Sequence, residues 1–100
     1  MNIFDLGKAT RQREVVEIIQ EDKNIRIEKI LSLGQTTDWM IQDQDEWFLV
    51  LEGYGVIEFE GEKIVLEKGQ SLTVKKGIKH RVSETDPKRP TLWLAVYYDN

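Results

Sequence analysis

Apolar residues along this chain recur mostly at every second position, the period of β-strands rather than of helices. Glu14-Val15-Val16-Glu17-Ile18-Ile19 is dense in β-branched residues and stops at the polar run Gln20-Glu21-Asp22-Lys23-Asn24. Ile25-Arg26-Ile27-Glu28 alternates and continues to Leu33, so the two segments read as a hairpin. A helix over Arg11 to Gln20, with Thr10 as its cap, is the competing reading, and the Val/Ile content favours the strand. Trp47 to Leu51 is apolar at every position, as expected of a strand covered on both faces. Val56 to Phe59 and Lys63 to Leu66 flank Glu60-Gly61-Glu62, where glycine supplies the positive φ of a tight hairpin turn. Leu72 to Val74, His80 to Val82 and Thr91 to Tyr98 complete the series. Roughly nine short strands with closely spaced turns predict an all-β sandwich or barrel.

Composition narrows the function classes. One hundred residues make a single domain with one core. The absence of cysteine excludes disulfides, thiolate metal sites and thiol nucleophiles. A net charge of -4 and a pI near 5.0 argue against a nucleic-acid partner. The basic residues Lys75, Lys76, Lys79, His80 and Arg81 read as a solvated loop edge, with contact to an anionic ligand as the alternative. No apolar run approaches the ~20 residues of a membrane span. Met1 to Arg13 lacks the apolar core of a secretory signal, so no membrane association and a cytoplasmic location are expected.

The chemistry-bearing residues fall in two glycine-anchored segments. The first is Gly34-x5-Met40-x-Gln42-x3-Glu46-x6-Gly53, and the second is Gly69-x5-Lys75-x-Gly77-x2-His80. Their spacing resembles the two motifs of the cupin family, G-x5-H-x-H-x3,4-E-x6-G and G-x5-P-x-G-x2-H-x3-N. The phrases Glu46 to Gly53 and Gly69 to Val74 look like cupin strand-turn sequences. Asp38 to Trp47 together with Trp93-Leu94-Ala95-Val96 resembles a subgroup of small single-domain bacterial cupins. The resemblance implies a double-stranded β-helix, the jelly-roll barrel of the cupins, and the whole chain, 1–100, is expected to be one such domain, with 1–13 as an N-terminal arm or strand for which packing on a partner subunit is one option. Met40 and Gln42 stand where the family has its histidine pair, Lys75 where it has proline, and Glu84 where it has asparagine.

A cupin metal site takes three imidazoles and a carboxylate. Here the resemblance leaves Glu46 and His80, with Gln42 as a weak carbonyl ligand. That is a poor set for zinc or non-haem iron, and too few oxygens for a hard cation. The candidate metal residues are therefore Gln42, Glu46 and His80 for a divalent ion, and the alternative is a hydrogen-bonded Glu46–His80 pair in a polar barrel mouth. The same pair is the catalytic candidate, because a carboxylate beside an imidazole tunes it for proton transfer. Tyr97 or Tyr54 is the candidate second donor, and the sequence leaves open which faces inward. Phe48 and Val50 share the strand face of Glu46. With Trp39, Met40 and Tyr97 they are the candidate small-molecule contacts, and ordinary core is the alternative. Asp43, Gln44 and Asp45 read as a solvated turn, and Arg11 and Arg13 have no required role.

Trp47, Leu49 and Leu51 would face outward from that strand. Cover by the N-terminal segment or by a second subunit is expected, which is the case for a homodimer, and cover by the same chain's other strands is the alternative. Two functions follow: a barrel that binds a small molecule in its cavity without catalysis, or an enzyme. The enzyme would be either metal-dependent with a reduced ligand set or a metal-free isomerase or lyase using Glu46 and His80.

Overall fold

The computed structural model describes residues 1–99 as a β-sandwich of eight strands. They are β1 (Val15–Asp22), β2 (Ile25–Ser32), β3 (Asp45–Glu52), β4 (Tyr54–Phe59), β5 (Glu62–Glu67), β6 (Ser71–Val74), β7 (His80–Thr85) and β8 (Thr91–Tyr98). One sheet has five strands in the order β1-β2-β8-β3-β6, and the facing sheet has three in the order β5-β4-β7. All the pairings are antiparallel. This is the expected all-β jelly-roll barrel, with eight named strands where about nine were expected. The segment from Arg11 to Gln20 is not helical: residues 11–13 bend and β1 begins at Val15. No helix among the described residues is long and apolar enough to cross a membrane.

The core lies between the sheets. Phe48, Val50, Trp93, Ala95 and Tyr97 from the large sheet meet Ile57 and Leu66 from the small one. Phe48 and Trp93 pack edge to face with ring centroids 5.9 Å apart, the arrangement that the ring quadrupoles favour. Along β3 the inward residues Phe48 and Val50 are buried, while Trp47, Leu49 and Leu51 on the other face are half-buried. The N-terminal arm folds back onto this chain. The buried Lys29 ammonium donates to the backbone carbonyl of Asp5 at 2.6 Å, and Asn2 O stands 3.4 Å away.

The motif glycines Gly34, Gly53, Gly69 and Gly77 have φ of 87°, 81°, 85° and 83°. Gly53 shows why no other residue serves between β3 and β4. A Cβ there would sit 2.6 Å from Thr91 Oγ1 and 2.9 Å from Thr91 Cα, on a backbone that already disfavours side chains.

Candidate functional site

Strand register assembles the site. Glu46 near the start of β3 is paired with Tyr97 near the end of β8. His80 opens β7 opposite Phe59, and an isolated bridge joins it to Met40. Mutual backbone bonds fix that bridge, Met40 N to His80 O at 2.8 Å and His80 N to Met40 O at 3.0 Å. Residues distant in sequence thus meet at one end of the barrel. They line a cavity of about 70 Å³ together with Glu14, Thr37, Phe48 and Trp93.

Glu46 and His80 are buried, 7% and 3% exposed. The His80 Nδ1 atom lies 2.9 Å from the carbonyl oxygen of Ile78. A carbonyl only accepts, so Nδ1 carries a hydrogen. The other ring nitrogen, Nε2, stands 3.4 Å from Glu46 Oε1, and that oxygen has no hydrogen-bond partner at good geometry. In a neutral ring this puts a lone pair in front of a carboxylate. The contact is favourable only when a proton or an outside donor sits between the two. Burial by itself lowers the His80 pKa. The Glu46 carboxylate and the Ile78 carbonyl outweigh it, and the net direction is upward.

Two further groups share this field. Burial raises the Tyr97 phenol far above its ordinary range, and the carboxylates of Glu46 and Glu28 add to the rise against Arg26. The Arg26 guanidinium lies 4.4 Å from the centre of the Tyr97 ring and pairs with Glu28 at 2.8 Å. Glu14, just ahead of β1, is pushed up by burial, then by Glu28 and by Glu46. Its carboxyl was not among the sequence candidates. It lies two residues before Val16, whose cross-strand partner Ile30 also lines the cavity. Carrying the β1 alternation two residues backward would have found it.

Of the eight candidate residues, Met40, Glu46, Phe48, His80 and Tyr97 line the cavity. Val50 does not line it: at 0% exposure it is core packed beneath. Trp39 lies outside, 37% exposed, with the Arg81 guanidinium 4.6 Å and the Lys79 ammonium 5.3 Å from its ring centre. Gln42 is not in the lining either, and its side-chain nitrogen is 3.3 Å from Met40 Sδ. Tyr97, not Tyr54, faces inward. The Tyr54 hydroxyl donates to Glu84 at 2.8 Å, which raises its pKa. Arg11 bonds the carbonyl of Pro87 rather than reaching the cavity. Asp45 is buried, not part of a solvated turn, because it opens β3. Its carboxylate accepts the Lys76 amide at 2.8 Å and lies 3.7 Å from the Lys75 ammonium.

The donor set does not fit a transition metal. Among the described residues no group of three or more His, Cys, Asp or Glu side chains could hold an ion. Met40 and Gln42 occupy the positions that would supply the missing imidazoles, and the Gln42 amide is turned to sulfur. Two strong donors fall short of the three that an open zinc site needs.

Fold and cavity together define a small jelly-roll barrel with one buried polar end. The chain belongs to the cupin family: the cupin domain matches it over residues 30–97. Among solved structures it is similar to a "putative mannose-6-phosphate isomerase" from Ralstonia eutropha JMP134. That pair shares 36% identity over 100% of this chain and 97% of the other, with a TM-score of 0.93. A cupin superfamily protein from Desulfitobacterium hafniense DCB-2 matches with a TM-score of 0.81 at 18% identity, over 93% of this chain and 84% of the other. A cupin-2 domain containing protein from Shewanella frigidimarina matches at 0.70 and 24% identity, over 84% and 79%. These last two share the fold alone. No curated protein matches the chain.

Proposed function

We propose that this cupin-domain protein binds a small molecule in the cavity between its sheets, with Glu46 and His80 as the polar contacts. The observation that carries this reading is the buried Glu46 on the cavity lining, whose Oε1 has only a 3.4 Å ion-pair contact with His80 and no hydrogen bond at good geometry. A buried acceptor left unmade costs roughly 1–3 kcal/mol, and a bound donor would remove that cost. The walls suit a ligand: mostly apolar and aromatic, with a few convergent polar groups. At about 70 Å³ the space takes a compact head group rather than a whole cofactor.

The name of the Ralstonia relative suggests a sugar phosphate. The lining gives that little support, because it holds two carboxylates, one imidazole and no lysine or arginine to receive a phosphoryl group. The proton demanded between His80 and Glu46 favours a second reading, metal-free acid–base chemistry with His80 as the acid, Glu46 as the base and Tyr97 as a held donor. The exposed Val16 and Ile18 on the edge strand β1 support a homodimer, which light scattering would test. Binding is tested by native mass spectrometry of the purified protein, before and after denaturation. A copurifying small molecule, lost in Glu46→Gln, is expected. A cavity that holds only water in every preparation, and no thermal shift across a fragment set, would remove the reading.

A further inference from the structure

The cavity has a chemical bias that its fold alone does not impose. Its polar lining consists of Glu14, Thr37, Glu46, His80 and Tyr97. Two of these are carboxylates, and neither lysine nor arginine is among them. With both carboxyls ionised and His80 charged, the lining would carry one more negative group than positive. Three basic residues of the surrounding strands and loops are committed elsewhere. Arg26 pairs with Glu28, Arg81 with Glu58 at 2.6 Å, and Lys75 with Asp45. What the cavity lacks is therefore a cation with hydrogens to give.

Geometry gives that cation a place. Glu46 Oε1 and His80 Nε2 stand 3.4 Å apart, the first in no hydrogen bond at good geometry and the second free of the bond that holds Nδ1. One donor-rich nitrogen can give a hydrogen to each. The aromatic residues Phe48, Trp93 and Tyr97 line the same cavity, and aromatic faces attract cations. A phosphate or carboxylate would meet two like charges there. A neutral hydroxyl would leave the charge excess in place.

We propose that the cavity receives the ammonium head of a small organic amine, held by Glu46 and the neutral His80 ring, with Glu14 in the same lining and Phe48 and Trp93 as walls. This rests on the small-molecule reading above and names its ligand class. Glu14 is pushed up first by burial and then by the neighbouring carboxylates of Glu28 and Glu46.

The test is a two-dimensional amide NMR titration of the whole chain at pH 7 with three probes of equal length: n-propylammonium, n-propanol and propionate. Propylammonium is expected to shift the amides of Glu46, His80 and Ala95 along a saturable millimolar curve. Propanol should bind about tenfold more weakly and propionate not at all, because the charge-assisted bonds are lost or reversed. Glu46→Gln should weaken propylammonium about tenfold while its other amide positions match the parent. If Glu46→Gln does not fold, Glu14→Gln gives the same test, with a loss of about threefold expected at the less buried carboxylate. Propionate or propanol binding as tightly as propylammonium would overturn the amine proposal and leave cavity binding standing. Saturable shifts with none of the three would overturn the amine proposal, and the mass-spectrometric search would then decide the broader reading separately.

Discussion

Where β8 begins, the barrel matches its buried polar groups with partners; where β3 begins, it leaves one open. At the first end the Trp93 indole nitrogen donates to Ser32 Oγ at 3.2 Å. The Thr91 hydroxyl donates to the carbonyl of Tyr54 at 2.9 Å, and the Thr85 hydroxyl to that of Gln35 at 2.7 Å. At the other end Glu46 Oε1 has no such partner, and the imidazole in front of it points its second nitrogen the same way. The only other buried side-chain oxygen without a partner among the described residues is Ser83 Oγ, beside the register shift of β4 and β7. A satisfied polar group fixes one packing. An unsatisfied one sacrifices stability and is retained where a ligand or a proton completes it. On this contrast the first end is scaffold, with Trp93 reaching from it into the cavity wall, and the second is the proposed site.

The contrast breaks most severely through Gly55, on β4 at the scaffold end. A Cβ there would overlap the Cζ2 and Cη2 atoms of Trp93. Gly55→Ala is expected to cost ~3 kcal/mol or more, because the ring is buried and cannot move aside. In a domain of this size that lowers Tm by at least about 12 °C. A variant as stable as the parent in thermal unfolding would show that Trp93 does not pack as described. Ser32→Ala comes next. It strands the indole N–H and should cost about 1–3 kcal/mol by urea unfolding. A neutral result would mean that the scaffold end tolerates an unmade bond as readily as the site end does.

How much of this was legible follows from the range over which each signal acts. Alternation is local, so the strands around Val16, Ile27, Phe48, Ile57 and Val96 could be read directly, and the glycine spacing marked where the chain turns. Glu46 and His80 were legible as a pair through the spacing of the resembled motifs, which encode a contact that alternation cannot show. Val50 was misplaced because period two gives the face of a strand but not the depth: Phe48 reaches the cavity and Val50, one step further along, is sealed core. Trp39 and Gln42 lie in a segment with no regular period, apart from the single bridge at Met40, so nothing local fixed their direction. Glu14 was not picked out for the cavity and Asp45 was misread as a solvated turn because they sit just outside or just inside a strand start, the least certain part of any pattern.

At the site end the effects are smaller and differ in kind. Glu46→Gln removes a charge from a position that lacks a full partner, so its cost should stay within about 1 kcal/mol. Its clear effect is on the imidazole. With the carboxylate gone, burial is the main influence left, and His80 should titrate below its ordinary 6.5 instead of above it. Ring-proton NMR reads both values, and an unchanged midpoint would mean that the two groups are not coupled. The same shift sets a pH dependence. The folded-state pKa of His80 exceeds the unfolded one, so its stabilisation is complete below pH 6.5 and is lost as pH rises through the folded value. The unfolding free energy from urea titrations should fall over that interval by at most about 1.4 kcal/mol per pH unit, the limit for one proton. Glu46→Gln should abolish or reverse the fall. A parent profile that rises with pH there would contradict the sign.

The smallest effect expected is that of metal. A divalent ion binding only the native state stabilises it by RT ln(1 + [L]/Kd), about 2.7 kcal/mol at a hundredfold excess over Kd. In this domain that would appear as a shift of about 10 °C or more. Glu46 and His80 offer one carboxylate oxygen and one imidazole nitrogen, and the positions that could add imidazoles hold Met40 and Gln42. Manganese, iron, nickel and zinc are therefore expected to leave Tm unchanged within about 1 °C, and the purified protein to carry under about one-tenth equivalent of any of them. A stoichiometric ion lost in His80→Ala would reverse the conclusion, because the open acceptor on Glu46 would then be a ligand awaiting its metal. Should Met40→His together with Gln42→His gain a shift that the parent lacks, the barrel geometry would be intact and the missing donors alone would explain the parent's indifference.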